Sequence, residues 1–144
     1  MKSVYEAEIN VPQVRLFNLF ADPRNDKEWM EGLVSYEPVK GQPGMPGSEY
    51  RLVQQDGNMA FHTTVLSREE PDLLEIVLDG ANVIISITAR FSAISPETTR
   101  FISEEVFTFR GWANKASGFL LRKDIKSIHH RQMESFKRYA ESHR

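Results

Sequence analysis

A chain of 144 residues and 16.6 kDa has room for one domain of ordinary size. With 40% hydrophobic and 26% charged residues, nine Phe, four Tyr and two Trp, it can bury a core, which excludes intrinsic disorder. A formal net charge of -2 gives no positive field to hold a nucleic-acid backbone, and the lack of cysteine removes disulfides, thiolate catalysis and Cys-based zinc or iron–sulfur sites.

The opening Met-Lys-Ser-Val-Tyr-Glu-Ala-Glu puts acids where a signal peptide needs an apolar stretch. No run approaches the ~18 apolar residues of a membrane span, so a cytoplasmic protein is expected. From Val4 to Val11 the chain alternates, with Tyr5, Ala7, Ile9 and Val11 on one face, as in a half-buried strand. Pro12 suits the first position of a short helix whose apolar side is Val14, Leu16, Phe17, Leu19 and Phe20, ending near Asp22-Pro23. A second short helix is predicted over Asn25 to Met30, and a strand over Leu33 to Val39. Gly41 to Gly47 then reads as turn chemistry.

Extended runs follow at Ser48 to Gln54, Met59 to Ser67, Leu73 to Leu78, Val83 to Ile94 and Thr98 to Phe109. Turn signals separate them at Asp56-Gly57-Asn58, Glu70-Pro71-Asp72, Asp79-Gly80 and Ser95-Pro96, which predicts an antiparallel meander. Past Gly111 the period becomes helical, with Leu121, Ile125, Ile128, Gln132, Phe136 and Tyr139 on one stripe. The sheet must cover an apolar face, and this helix carries the only stripe long enough to do it. Val83, Ile85, Ile87, Ala89 and Phe91 are placed facing inward, joined by Tyr50, Leu52, Met59, Phe61, Val65, Phe101, Phe107 and Phe109. That is many large side chains for one helix to cover.

The run Ile9-Asn10-Val11-Pro12-Gln13-Val14, the segment Phe20-Ala21-Asp22-Pro23 with Trp29 following, Pro43 to Arg51, and a closing Phe136-Lys137-Arg138-Tyr139 carry a family likeness in this order. The sequence resembles the START-like, or Bet v 1-like (SRPBCC), superfamily, and within it the bacterial polyketide cyclase/dehydrase-type members. The resemblance spans nearly the whole chain. It implies an α+β helix-grip fold over residues 1–144, with a curved antiparallel sheet wrapped around a long C-terminal helix and two short helices after the first strand. It also implies a cavity between sheet and helix for a lipid, isoprenoid or polyketide-like molecule. The superfamily has no universal catalytic constellation, so no residue carries over as catalytic.

The residues assigned to the cavity wall are Trp29, Tyr50, Leu52, Met59, Phe61, Val65, Ile85, Ile87, Phe91, Phe107, Leu121, Ile125 and Ile128. Trp29 suits either a core anchor or that wall. If Phe101, Phe107 and Phe109 face inward, period two also turns Ser103 and Glu105 inward, and a carboxyl among apolar groups has a raised pKa suited to proton transfer. The opposite phase exposes Glu105 and turns its neighbour Glu104 in. Glu105, Tyr50 and Ser103 are therefore the catalytic candidates, set against a salt bridge or a strand-end position for the acid.

His62 is placed outward. His129 and His130 point about 100° apart on their helix, which does not give a paired metal-ligand spacing, so no metal and no cofactor are expected. The Gly-rich loop lacks the spacing and Lys of a phosphate loop. Arg122, Lys123, Lys126, Arg131, Lys137 and Arg138 make the last helix locally basic, either as a solvated face or for transient contact with an anionic membrane surface or an acidic partner. Gly111, Ala113, Ala116, Ser117 and Gly118 form a small-residue entrance to that helix, either close-packed or a hinge. The leading reading is a carrier of a small hydrophobic molecule, and the alternative is a cyclase, aromatase or dehydratase-type enzyme using the same cavity.

Overall fold

The computed structural model describes residues 1–54, 60–111 and 122–144. The Asp56-Gly57-Asn58 turn, the wall residues Met59 and Leu121, the small residues Ala113, Ala116, Ser117 and Gly118, and the side chain of Arg122 lie outside the described residues. The strands are β1 (Lys2–Ile9), β2 (Leu33–Lys40), β3 (Glu49–Gln54), β4 (Ala60–Glu69), β5 (Leu73–Gly80), β6 (Val83–Ser95) and β7 (Thr98–Phe109). They form one antiparallel sheet in the order β1-β7-β6-β5-β4-β3-β2. Register shifts in the β2/β3, β4/β5 and β6/β7 pairs bend it, as an extra residue on one strand does. The helices are α1 (Gln13–Ala21), a 3₁₀ turn at Pro23–Asn25, α2 (Asp26–Trp29) and α3 (Arg122–Glu141). Among the described residues no helix is long and apolar enough to cross a membrane.

Period two holds along the sheet. On β1, Ser3, Tyr5 and Ile9 are buried while Val4, Glu6 and Glu8 are exposed. On β7, Thr99, Phe101, Ser103 and Phe107 are buried, which fixes the phase that turns Glu105 inward. Pro12 is the residue that caps α1 rather than its first helical position, and its extended ψ of 145° lets β1 turn directly into the helix. The Asp22 carboxylate accepts from the Arg24 backbone N–H at 3.0 Å and opens the 3₁₀ turn.

The Gly-rich loop is fastened to α1. Gly44 has φ +81°, and a Cβ there would meet the Ala21 carbonyl at 2.8 Å, so the position needs glycine twice over. Arg68 Nη1 donates to the Gly44 carbonyl at 2.9 Å while its guanidinium lies over the Phe17 ring.

Two expectations are corrected in the core. Phe91 does not face the open space under the sheet. Its ring sits 5.1 Å from Phe17, 5.9 Å from Phe20 and 5.3 Å from Phe101, in a packed aromatic cluster completed by Trp29 and Phe136. On α3 the buried stripe is His129, Met133, Phe136 and Ala140, one residue round from the predicted one. Ile128 is consequently half exposed. The rotation is possible because the buried imidazole of His129 finds polar partners on β1 and β7.

Candidate functional site

Among the described residues α3 packs on β1, α2 and α1, and α1 packs on β6 and β7, while the inner faces of β3 to β5 and of the first half of β6 border an open space. The result is a cavity of about 710 Å³, within the ~300–1,000 Å³ range of small-molecule sites. Leu52 and Tyr50 from β3, Phe61 and Val65 from β4, Ile85 and Ile87 from β6 and Phe107 from β7 lie on its wall, with Trp29 from α2 and Ile125 and Ile128 from α3. Leu74, Ile76 and Leu78 of β5 and Val83 of β6 complete the apolar face, beyond the wall residues assigned from sequence. Where α2 turns into β2 the lining becomes polar and exposed. There Arg131 pairs with Glu31 at 3.2 Å and Gln132 Oε1 accepts from the Glu31 backbone N–H at 3.0 Å, which joins that turn to α3.

Polar groups enter the wall at two places. The first joins α3 to β7 and β1. Glu105 lies on the wall with its Oε2 3.4 Å from His129 Nε2. That nitrogen is also 3.1 Å from Ser103 Oγ, and His129 Nδ1 is 2.8 Å from Ser3 Oγ. Ser103 is therefore taken up by the histidine behind the wall and does not line the cavity, which removes it from the catalytic candidates. Burial pushes Glu105 up to about 7, and burial with the neighbouring His130 holds His129 down to about 4. At neutral pH the imidazole is uncharged and the carboxyl is poised between its two forms.

The second place joins α2 to β3. Asp26 is 6% exposed and Tyr50 4% exposed, and both line the cavity. Burial, then the charge of Asp22, raises Asp26 well above the usual carboxylate range. Burial, then Asp26, raises Tyr50. Tyr50 thus belongs with Asp26, on the strand next to the far edge, and not with Glu105 near the opposite edge.

Sequence reasoning does not find His129, Ser3 or Asp26 as site residues. Asp26 reads in sequence as an acid suited to the first turn of a short helix. The available signal is its i,i+3 spacing to Trp29, which shares its helix face. His62 is outward as expected, with Nε2 2.7 Å from Glu49 Oε1. On the basic face of α3, Lys123, Lys126 and Arg138 are exposed.

Comparison with known proteins places this arrangement. Residues 1–141 match the model of the family described as polyketide cyclase / dehydrase and lipid transport. The chain belongs to that family. Among solved structures it is similar to Ara h 8.0201, with a TM-score of 0.73 and 17% identity over 99% of this chain and 98% of that one. It is also similar to TTHA0849 from Thermus thermophilus, with a TM-score of 0.76 and 18% identity over 99% and 95%. A START superfamily protein from Mycobacterium smegmatis aligns with a TM-score of 0.73 and 14% identity over 99% and 95%. At these identities the likeness shows the fold, which is the helix-grip fold of START-like and Bet v 1-like proteins. A search of curated proteins by sequence finds no match.

Proposed function

We propose that this family member binds and carries one small hydrophobic molecule, of lipid, isoprenoid or polyketide-like size, in the cavity between the sheet and α3. The observation that carries this reading is the 710 Å³ space walled by Leu, Ile, Val and Phe side chains from β3 to β7. Burying a ligand's apolar surface there yields roughly 25 cal/mol per Å², and leaving the space empty forgoes those contacts.

A second reading is favoured by one specific observation. Glu105 faces the cavity beside a neutral imidazole and is poised near neutral pH, which suits a general acid or base in a cyclisation or dehydration. The family's description covers both roles.

One experiment addresses both. Wild type and Glu105→Gln are incubated with fatty-acid, isoprenoid and aromatic polyketide probes, and the bound fraction and any product are identified by mass spectrometry. Carriage predicts one probe per chain, recovered unchanged from both proteins. Turnover by wild type that falls about 100-fold or more in Glu105→Gln would replace carriage with catalysis. Absence of any bound probe would remove both.

A further inference from the structure

Asp26 and Tyr50 are polar side chains on an apolar wall, and among the described residues neither the carboxyl nor the phenol hydroxyl has a hydrogen-bond partner. Both are more than nine-tenths buried. Both line the same cavity, Asp26 from α2, which packs on β2, and Tyr50 from β3, which pairs with β2 and sets its ring 5.4 Å from Tyr36. Trp29 follows Asp26 by three residues on α2 and flanks the same face. Native interiors rarely leave buried polar groups unpaired, and such groups ask for a partner that the described residues do not supply.

Building on the reading of the cavity as a hydrophobic-ligand site, we propose that Asp26 and Tyr50 form a polar subsite that receives a neutral keto or hydroxyl oxygen of an otherwise apolar ligand.

The chemistry follows from the donors. Burial and the charge of Asp22 favour the neutral form of the Asp26 carboxyl, and burial favours the neutral Tyr50 hydroxyl, so each can offer an O–H donor to the cavity they line. A ketone oxygen has two lone pairs and takes both. A hydroxyl takes one and returns its own proton to the carboxyl oxygen. A ligand carboxylate would meet the Asp26 carboxyl while the described cations Arg24 and Arg131 are already engaged, by Asp22 and Glu31. An ammonium would have to be stripped of water together with the carboxylate it ionises, inside an apolar wall. The Glu105–His129 pair does not compete for this role, because those groups already face each other.

The test compares tetralin with 1-tetralone, which differ by one carbonyl. Binding of each is titrated by calorimetry to wild type, Tyr50→Phe, Asp26→Leu and Asp26→Asn. The ratio of tetralone to tetralin affinity is expected to fall about ten-fold in Tyr50→Phe and in Asp26→Leu, the loss of one hydrogen bond. Asp26→Asn keeps a neutral donor and is expected to hold the ratio within about three-fold. Tetralin affinity reports that each variant keeps its cavity. In wild type alone, the carbonyl carbon resonance of bound 1-tetralone is expected downfield of its position in apolar solvent, which needs no variant.

An unchanged ratio in all variants, or a bound carbonyl resonance at the apolar-solvent position, overturns the subsite and leaves the cavity reading standing. If neither probe binds wild type, the cavity reading fails and the subsite with it. Tighter binding of 1-aminotetralin than of 1-tetralone, lost in Asp26→Asn, would show a cation site instead.

Discussion

Replacing Phe91 by Ala is expected to cost ~3–5 kcal/mol of stability and leave the affinity for an apolar dye unchanged, whereas Phe61→Ala costs less and alters dye binding. The two side chains are equally hidden, at 2% and 4% exposure. Their surroundings differ. Phe91 is enclosed by the rings of Phe17, Phe20 and Phe101, so its removal opens a void that the aromatic cluster cannot collapse. Phe61 lies with one side against bare Gly80, where a Cβ would come within 2.8 Å of its ring, and the other toward the cavity. Truncating it enlarges a space that already exists and loses packing on one side only. Urea denaturation gives the two stabilities and titration with an anilinonaphthalene dye gives the affinities. Equal stability losses with no dye bound by any form would mean that the sheet and α3 enclose a packed core.

Glu105→Gln is expected to stabilise the protein progressively as pH rises from about 4.5 to 7, reaching about 2–3 kcal/mol at pH 8. The unfolded carboxyl ionises near 4.5 and the folded one near 7. Between those values the folded chain holds the extra proton, so this group's contribution to stability falls as pH rises. His129 acts in the opposite sense. Its unfolded value is 6.5 and its folded value about 4, so the unfolded chain takes up the proton first and stability falls as pH drops through that interval. In wild type the two opposing slopes overlap between about pH 4.5 and 6.5 and flatten the profile. The variant removes the carboxyl's share alone and exposes the acid-side loss that belongs to the histidine. Denaturation midpoints from pH 4 to 8 test this, and a stability difference independent of pH would show that Glu105 titrates as a solvated acid.

The strand pattern is legible because the sheet has one wet face and one dry one, so period two is written into β1, the middle of β6 and most of β7. The inward phase of Glu105 follows from Phe101 and Phe107 alone. What the sequence does not show is where an apolar side chain meets another and where it meets empty space. Phe91 and Phe61 are alike in pattern, yet one is packed by α1 and the other lines the cavity. Periodicity also counts a histidine as polar. It therefore sets the stripe on α3 one residue off, since a hydrophobicity pattern carries no information about Ser3 and Ser103 arriving from distant strands to satisfy His129. Asp26 escapes the pattern for the same reason, its burial being set by the packing of α2 against β2 and α3.

Residence of a hydrophobic molecule in the space between the sheet and α3 can be tested by direct location of the ligand. Crystals grown with a terminally brominated fatty acid locate the bromine directly by its anomalous signal. Residence in the cavity predicts one peak per chain, among Leu52, Phe61, Ile85 and Phe107. Bromine found only on the outer surface, with those four side chains closed on one another, would contradict it.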